Sequence, residues 1–272
     1  MSFRPELDFA IELAHGAGRI VSDHYGKVDR LTKRQAEAVT VADRQSQAFI
    51  VAALRKKFPG DGIVGEENDT GDAITFDCPN PMGRNWVIDP IDGTNNFVSG
   101  LGNFAVAIGL MDAGRPVLGV VFDVTRNLLY SAAKGEGAWL GTQPIKVLPT
   151  PAGDSALIML TSNFLYEDGS APNYPLKWLT QTNWKVRMLG TAAIESAMVA
   201  SGVAHGAVTV NGKLWDCIAP VAIVLEAGGI VTDLKGGELF PFDLRDYTGK
   251  RVPFVAAGPA AHGSLVAYTR EG

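Results

Sequence analysis

Four apolar runs between residues 104 and 147 constrain the fold of this chain more than any other feature. They read F-A-V-A-I-G-L-M, V-L-G-V-V-F-D-V, L-L-Y-S-A-A and A-W-L. Turn residues separate them, at Gly114-Arg115-Pro116, Thr125-Arg126-Asn127 and Gly135-Glu136-Gly137. Connections this short join neighbouring antiparallel strands and leave no room for a crossover helix. We therefore predict an antiparallel meander in this part of the chain.

The residues before the meander predict two helices and two strands. Apolar residues recur at helical spacing over 5–25 and 42–58, and glycine or a Pro-Gly pair follows each stretch. A short apolar strand at 62–65 and a second strand that begins at Trp86 come next. Both strands run directly into acidic residues, which makes their ends candidates for a functional site.

After residue 145 the pattern changes to alternating strands and helices, which indicates an α/β layer. The predicted strands cover 156–161, 184–189, 206–210, 230–233 and 253–257. The predicted helices cover 172–181, 191–201 and 216–227, and a short helix ends the chain. We therefore predict a layered α/β sandwich, with an N-terminal α+β lobe over 1–144 and a C-terminal α/β lobe over 145–272.

Charge and composition exclude several classes of function. The net charge is −5 and the pI about 5.4, so the chain has no basic footprint for a nucleic-acid backbone. No apolar run approaches the roughly 20 residues that span a bilayer, and the first residues lack the apolar core of a signal peptide. Cys78 and Cys217 have no metal-binding or disulfide spacing. We expect a cytoplasmic protein that acts without a nucleic-acid or membrane partner.

The stretch W-V-I-D-P-I-D-G-T-N-N-F carries the clearest chemical signal. Asp89 and Asp92 lie three residues apart at the end of an apolar strand, and Pro90 restricts the backbone between them. Their carboxylates and the Ile91 carbonyl can then face one pocket. Two carboxylates this close repel each other unless a cation lies between them, and ligand sets made only of oxygen suit Mg²⁺ or Mn²⁺.

The residues after Asp92 suit a phosphate group. Gly93-Thr94 allows a tight turn, and N-N-F-V is predicted to open a short helix. Free N–H groups at the start of a helix attract anions. The alternative for the whole stretch is a strand end with an ordinary D-G turn and solvated carboxylates.

Two further acidic positions are candidates for the same site. Glu66-Glu67 follows the strand at 62–65, and neighbouring strands would bring these carboxylates to one sheet edge with Asp89. On its own, such a pair is also typical of a solvated surface. Asp216 follows Trp215 at the start of a predicted helix, where an N-cap is the simpler role. A helix start can also face a metal site, so the two roles are compatible.

Three motifs together resemble the inositol monophosphatase family. They are G-E-E at 65–67, D-P-I-D-G-T-N-N-F at 89–97, and W-D followed by E-A-G-G within 215–229. Their order and spacing match that family over nearly the whole chain. The resemblance implies an αβαβα layered sandwich of the type shared with fructose-1,6-bisphosphatases, usually as a homodimer. It also implies a lithium-sensitive, Mg²⁺-dependent phosphomonoesterase that holds two or three ions, with Mn²⁺ as a possible substitute.

The resemblance also implies a role for each metal-binding residue. Glu66, Asp89 and the Ile91 carbonyl are expected to bind the first ion. Asp89, Asp92 and Asp216 are expected to bind the second, and Glu66 helps to hold a third, weaker ion. In this family a metal-activated water attacks phosphorus directly, without a covalent intermediate.

The remaining site residues are also assigned by resemblance. Asp43 pairs with Thr94 to orient the attacking water, and Glu66 belongs to the same catalytic group. The backbone N–H groups of Gly93 and Thr94 are expected to hold the phosphate. The phosphate and substrate pocket is expected to contain Asp92, Gly93, Thr94, Gly190, Thr191, Ala192 and Asp216.

The substrate is a small phosphorylated metabolite, but several alcohols remain open. Inositol-selective members carry a glutamate shortly before W-D, whereas this chain has Thr209 and Val210 there, and neither is acidic. The nearby Lys213 favours a substrate with a second anionic group. Inositol 1-phosphate is the family default, and histidinol phosphate, fructose 1,6-bisphosphate and a nucleotide 3′-phosphate are alternatives. Gly190-Thr191 counts against the histidinol branch, which tends to carry G-D.

A different class of function is a catalytically silent cation-binding regulatory protein that kept the fold. The complete set of acidic residues argues against it. The polar segments 27–40 and 68–85 have the composition of mobile flaps that could close over a site.

Overall fold

The computed structural model describes residues 2–26, 41–67 and 75–271. The helices in these ranges are α1 (Arg4–His24), α2 (Val41–Lys57), α3 (Thr94–Ser99), α4 (Tyr174–Gln181), α5 (Ala192–Ala200), α6 (Leu214–Glu226) and α7 (Pro259–Arg270). The strands of the first sheet are β1 (Gly62–Gly65), β2 (Thr75–Asp77), β3 (Asn85–Asp92), β4 (Ala105–Asp112), β5 (Arg115–Asp123), β6 (Leu128–Ala133), β7 (Ala138–Leu140) and β8 (Gln143–Ile145). Those of the second are β9 (Leu157–Leu160), β10 (Lys185–Arg187), β11 (Gly206–Thr209), β12 (Ile230–Thr232) and β13 (Phe254–Ala257).

The first sheet confirms the predicted meander. Its strand order is β2-β1-β3-β4-β5-β6-β7-β8, and β4 to β8 pair antiparallel in chain order. Gly114 and Asn127 take positive φ angles of 70° and 53° in two of the hairpin turns. Glycine and asparagine tolerate that left-handed geometry better than other residues, so the local turn chemistry fixes the pairing. The exception to the antiparallel order is β1, which lies parallel to β3.

The second sheet has the order β10-β9-β11-β13-β12. The pairs β10–β9 and β9–β11 are parallel, and β13 pairs antiparallel with both β11 and β12. The parallel strands are joined through α4 and α5, as crossover connections require. The predicted α/β alternation after residue 145 is therefore confirmed.

Three layers of helix enclose the two sheets. Leu13 of α1 and Ile50 of α2 pack with Ile88 and Ile108 on one face of the first sheet. Helices α5 and α6 fill the space between the sheets, and α4 and α7 cover the outer face of the second sheet. The αβαβα layering that the resemblance implies is confirmed.

Helix α6 lies unusually close to the first sheet. Gly109 and Gly119 face each other across β4 and β5. A Cβ atom on Gly109 would lie 2.9 Å from the Ala219 backbone nitrogen, and one on Gly119 would overlap the Ala219 carbonyl oxygen. Only glycine allows this approach. The apolar helix is buried on nearly all sides, which fixes the position of its first turn.

The predicted lobe boundary between residues 144 and 145 stays a prediction. It falls within β8, and the central core combines Val87 and Ala107 from the first sheet with Ile194 and Ile218 from α5 and α6. The predicted flap at 27–40 lies outside the described residues, as does the part of 68–85 before Thr75. Within the described part of the chain, no helix combines the length and the apolarity that a membrane crossing requires.

Candidate metal centre

The two acidic motifs lie at the same edge of the first sheet. Strands β1 and β3 are parallel neighbours, with Gly65 opposite Ile88. The Glu66 N–H donates to the Ile88 carbonyl at 3.2 Å, which continues the pairing by one residue. Glu66 and Asp89 therefore leave adjacent strands side by side. The expectation that neighbouring strands bring both motifs together is confirmed.

A β-bulge turns Asp89 and Asp92 to the same side of the sheet. Side chains alternate along a regular strand, so residues three apart should point to opposite faces. Asp89 pairs with Ala107 and Asp92 with Ala105, so β3 has one residue more than β4 in this interval. The bulge falls at Pro90-Ile91, two residues that have no paired residue on β4. The N–H group that proline lacks is therefore not needed for pairing between the strands. The Asp89 carboxylate also accepts the Ile91 N–H at 3.0 Å.

Helix α6 adds a third carboxylate. Oxygen atoms of Asp89, Asp92 and Asp216 all lie within 4.8 Å of one another. The expectation that Asp216 is an N-cap is wrong, because α6 begins at Leu214 and Lys213 is its N-cap. Asp216 lies in the first turn, where its carboxylate accepts the Lys213 N–H at 2.6 Å. The Asp216 carboxylate is therefore held at the start of α6 and lies beside the two strand carboxylates.

The electrostatics of the cluster favour a bound cation. Burial, and then the charges of Glu66, Asp92 and Asp216, hold the pKa of Asp89 well above its usual range. Burial likewise raises the pKa of Glu66, and the nearby charges of Asp216 and Asp43 raise it further. Burial raises the pKa of Asp216 to about 6 against the lowering effect of the Lys213 N–H. Carboxylates that repel one another in this way, without a soft ligand among them, fit a hard divalent ion.

The turn after Asp92 requires glycine. Gly93 has a φ of +91°, in the left-handed region. A Cβ atom there would lie 2.6 Å from the Thr191 hydroxyl oxygen and 2.9 Å from the Asn103 carbonyl oxygen. The predicted short helix α3 follows at Thr94, whose hydroxyl donates to the Ile91 carbonyl at 3.0 Å. The backbone of Gly93 is therefore packed directly against the second half of the chain.

The segment Gly190-Thr191-Ala192 lies beside this turn. The Ala193 N–H, in the first turn of α5, donates to the Asp92 carboxylate at 2.6 Å. The Thr191 hydroxyl donates to the Asn103 carbonyl at 2.5 Å. Sequence reasoning named the segment from the resemblance but missed Ala193. The free N–H groups of a helix start were the available signal.

The remaining predicted site residues lie around the same centre. Asp43 is buried in α2, close enough for its charge to raise the pKa of Glu66. Its pairing with Thr94 stays a prediction. Thr209 and Val210 are buried at the end of β11. Lys213 lies beside them with its ammonium 5.4 Å from the centre of the Trp215 ring.

Removing divalent cations should make stability fall with rising pH. The pKa values of Glu66, Asp89, Asp92 and Asp216 are raised in the folded protein, so each contributes stability below about pH 4, the ordinary value of a free carboxyl, and loses it as pH passes its raised pKa. For Asp216 that loss accumulates from about pH 4 and is complete once the pH has passed about 6. We expect Tm in EDTA to fall as the pH rises from about 4 through 6, and Mg²⁺ to stabilise the protein more at the higher pH. Scanning calorimetry checks this, and a Tm in EDTA that rises over that interval would contradict the repulsive cluster.

Known proteins are similar to this chain over nearly its whole length. A family model described as the inositol monophosphatase family matches residues 3–271. The chain is 34% identical over 244 residues to Nus factor SuhB of Pasteurella multocida, covering 87% of this chain and 88% of that protein. It is 35% identical over 234 residues to the histidinol-phosphatase of Chlorobaculum parvum, with 85% and 87% covered.

Solved structures give the same result. The structure of an IMPase from Thermotoga maritima is similar with a TM-score of 0.82 at 31% identity, covering 98% of this chain and 97% of that one. The match therefore includes both sheets and all three helical layers. With a family match over nearly its whole length and relatives above 30% identity, the chain belongs to the inositol monophosphatase family.

Proposed function

We propose that this chain is a Mg²⁺-dependent phosphomonoesterase that hydrolyses a small phosphorylated alcohol. The observation that carries the proposal is the cluster of Asp89, Asp92 and Asp216, with oxygen atoms within 4.8 Å, beside a turn that Gly93 leaves free of a side chain. Membership of a phosphatase family supports it. A homodimeric assembly, inhibition by lithium and a cytoplasmic location belong to the same proposal.

The chain offers a ligand set that fits hard divalent ions. Asp89, Asp92 and Asp216 would hold one ion, and Glu66 with Asp89 and the Ile91 carbonyl would hold another. Bound Mg²⁺ supplies Lewis acidity, which lowers the pKa of water and neutralises charge on the phosphate. Mn²⁺ accepts the same oxygen ligands and would substitute for it.

The protein's own groups would bind and orient the reactants. The N–H groups of Gly93 and Thr94 would bind phosphate oxygens at the start of α3. Because the Thr94 hydroxyl donates its proton to the Ile91 carbonyl, its oxygen is left as an acceptor that can orient a water molecule. Asp43 would support that orientation. Glu66, at the end of β1 beside Asp89, would hold a metal ion and accept a hydrogen bond from the attacking water.

The pocket favours a substrate with more than one anionic group. Thr209 and Val210, the two candidates for the position where inositol-selective members carry an acid, are buried and uncharged. Lys213, the N-cap of α6, instead places a positive charge at the start of that helix. Its charge attracts a second phosphate and repels an ammonium group. Inositol 1-phosphate remains the default substrate of the family, and a bisphosphate such as fructose 1,6-bisphosphate is the alternative that Lys213 supports.

Phosphate release from a substrate panel tests the proposal. The panel contains inositol 1-phosphate, histidinol phosphate, fructose 1,6-bisphosphate and 3′-phosphoadenosine 5′-phosphate, each with Mg²⁺ or EDTA. We expect Mg²⁺-dependent turnover of at least one substrate. For a substrate with a second anion, Lys213→Met should raise KM by about threefold, the effect of one lost ion pair at a partly exposed site, and should leave kcat almost unchanged. No release from any substrate in either Mg²⁺ or Mn²⁺ would count against the proposal.

A second candidate is a cation-binding regulatory protein without turnover. One observation favours it: a relative at 34% identity is a Nus factor, which is not the name of an enzyme. It predicts that Mg²⁺ raises Tm although no member of the panel is hydrolysed. Mg²⁺-dependent hydrolysis of any substrate would exclude this second candidate.

A further inference from the structure

Glu195 is a buried acid that takes no part in the metal cluster. It lies in the first turn of α5 and is 1% exposed. One oxygen of its carboxylate accepts two backbone N–H groups, from Leu189 at 2.7 Å and from Gly190 at 3.1 Å. Burying a carboxylate is costly unless such bonds compensate it. The side chain is therefore committed to holding the turn that precedes α5.

The same turn is held from the opposite side by Asn96 of α3. The Asn96 amide donates to the Leu189 carbonyl at 2.7 Å and to the Asn103 carbonyl at 2.8 Å. The Leu189 backbone is thus fixed at its N–H by Glu195 and at its carbonyl by Asn96. Asn103 is itself held in a left-handed conformation, φ +82°, with its side chain bonded to Arg126.

The turn determines the position of two parts of the candidate site. Ala193, two residues after Thr191, donates its N–H to the Asp92 carboxylate at 2.6 Å. The Thr191 hydroxyl and the Gly190 carbonyl lie where a side chain on Gly93 would project, at 2.6 and 3.3 Å from its Cβ position. A shift of the turn would therefore move both the hydrogen bond to Asp92 and the wall beside Gly93.

We propose that Glu195 is a positioning residue that fixes the Leu189–Thr191 turn and, through Ala193, orients the Asp92 carboxylate for metal binding. The proposal rests on the proposed function only where it concerns turnover. Glu195 acts as an acceptor of two N–H groups. A neutral acceptor of the same shape should therefore replace it, whereas a side chain without an acceptor should not.

The fold itself does not depend on this acceptor. Ala197, Val199 and Ala200, in the later part of α5, are fully buried in the core between the sheets, and they hold the body of the helix by apolar packing. Losing the Glu195 bonds should free the turn and allow the first residues of α5, including Ala193, to shift without releasing the rest of the helix. The chain also offers a matched control: Glu226, at the far end of α6, accepts the N–H groups of Gly135 at 3.0 Å and Gly137 at 3.3 Å. It fixes a turn in the same way but lies away from the candidate site.

Calorimetric titration with Mn²⁺, which needs no turnover, tests the proposal directly. We expect Glu195→Ala to weaken Mn²⁺ binding by about tenfold or more, the usual effect of losing a group that orients a metal ligand. Glu195→Gln should stay within about threefold of the parent, because its amide oxygen still accepts both N–H groups. Glu226→Ala should bind Mn²⁺ like the parent.

Kinetics on any substrate that the panel identifies provide the second readout. Glu195→Ala should lower kcat more than it raises KM, since Asp92 is misplaced while the rest of the pocket remains. Thr191→Val, which keeps the side-chain shape but loses the bond to Asn103, should weaken Mn²⁺ binding in the same direction and covers the case in which Glu195→Ala does not fold.

Two results would overturn the proposal. One is Mn²⁺ binding by folded Glu195→Ala or Thr191→Val that equals the parent's. The other is equal weakening in Glu195→Gln and Glu195→Ala, because charge rather than hydrogen-bond acceptance would then be responsible. If the parent binds Mn²⁺ but hydrolyses nothing, the proposed function fails while these titrations still decide the role of Glu195.

Discussion

Asp89→Asn should abolish turnover and leave the metal-free protein at least as stable as the parent. The carboxylate is 1% exposed and belongs to both expected metal sites, so its loss should lower kcat on the order of a thousandfold or more. In EDTA the same change removes one of several mutually repelling charges. The asparagine oxygen can still accept the Ile91 N–H, so the bulge in β3 should persist. The increase in Tm that Mg²⁺ gives the parent should largely disappear in Asp89→Asn.

Turnover and Tm, each measured with Mg²⁺ and with EDTA, separate these effects. Asp233→Asn is a suitable control because Asp233 accepts the N–H groups of Lys235 and Gly237 in a surface turn, a role that asparagine also fills. It should match the parent in all four measurements. An Asp89→Asn protein as active as the parent would contradict the assignment of Asp89 as a metal ligand. One that is active and also loses Tm equally in Mg²⁺ and EDTA would identify Asp89 as a structural residue.

The features that sequence predicted well are those with local causes. Strands β4 to β7 follow one another through short turns, so apolar runs and turn residues were sufficient to predict their pairing, whereas the short strand β8, which has no apolar run, was missed. The meeting of Glu66 with Asp89 required only that β1 and β3 be neighbours. Even the bulge leaves a trace, because D-P-I-D brings two acids to one face only if one residue is extra.

The features that sequence missed depend on contacts between distant residues. The bond from Asn96 to Leu189 joins residues 93 apart, and that from Ala193 to Asp92 joins residues 101 apart. No periodicity or motif spacing reports such pairs. Glu195 was missed although its partners Leu189 and Gly190 lie only six and five residues away, because a single acid in a mostly apolar helix belongs to no motif. The start of α6 was placed two residues late because Leu214 and Trp215 resemble the end of the preceding loop as much as a helix start.

The site therefore depends on the docking of the two halves of the chain. The first sheet supplies Glu66, Asp89 and Asp92, while α6 supplies Asp216 and α5 supplies the N–H group that holds Asp92. The close approach of α6 to Gly109 and Gly119 fixes the distance between these contributions. Metal binding joins carboxylates from both halves, which links it to the stability of the whole domain.

Gly93→Ala should damage both the fold and the proposed activity. At a φ of +91° an L-residue is strained, and its Cβ would lie 2.6 Å from the Thr191 hydroxyl and 2.9 Å from the Asn103 carbonyl. The Thr191 hydroxyl is held in place by its hydrogen bond to the Asn103 carbonyl. The added Cβ can therefore be accommodated only if the backbone shifts. We expect a loss of about 2–4 kcal/mol in the free energy of unfolding, from strain and overlap together. Displacing the turn by even part of an ångström should lower kcat on the order of a hundredfold.

Urea unfolding and initial-rate kinetics on the same preparation measure the two effects. Gly263→Ala is the matched control, because Gly263 lies within α7 and an added Cβ would meet no atom within 4 Å beyond its chain neighbours and the local helix backbone. Alanine is the better helix former, so this variant should be as stable as the parent or up to about 1 kcal/mol more stable. A Gly93→Ala protein that keeps the stability and kcat of the parent would mean that the turn can move away from Thr191 without cost. The packing of the two halves against Gly93 would then not be what positions the site.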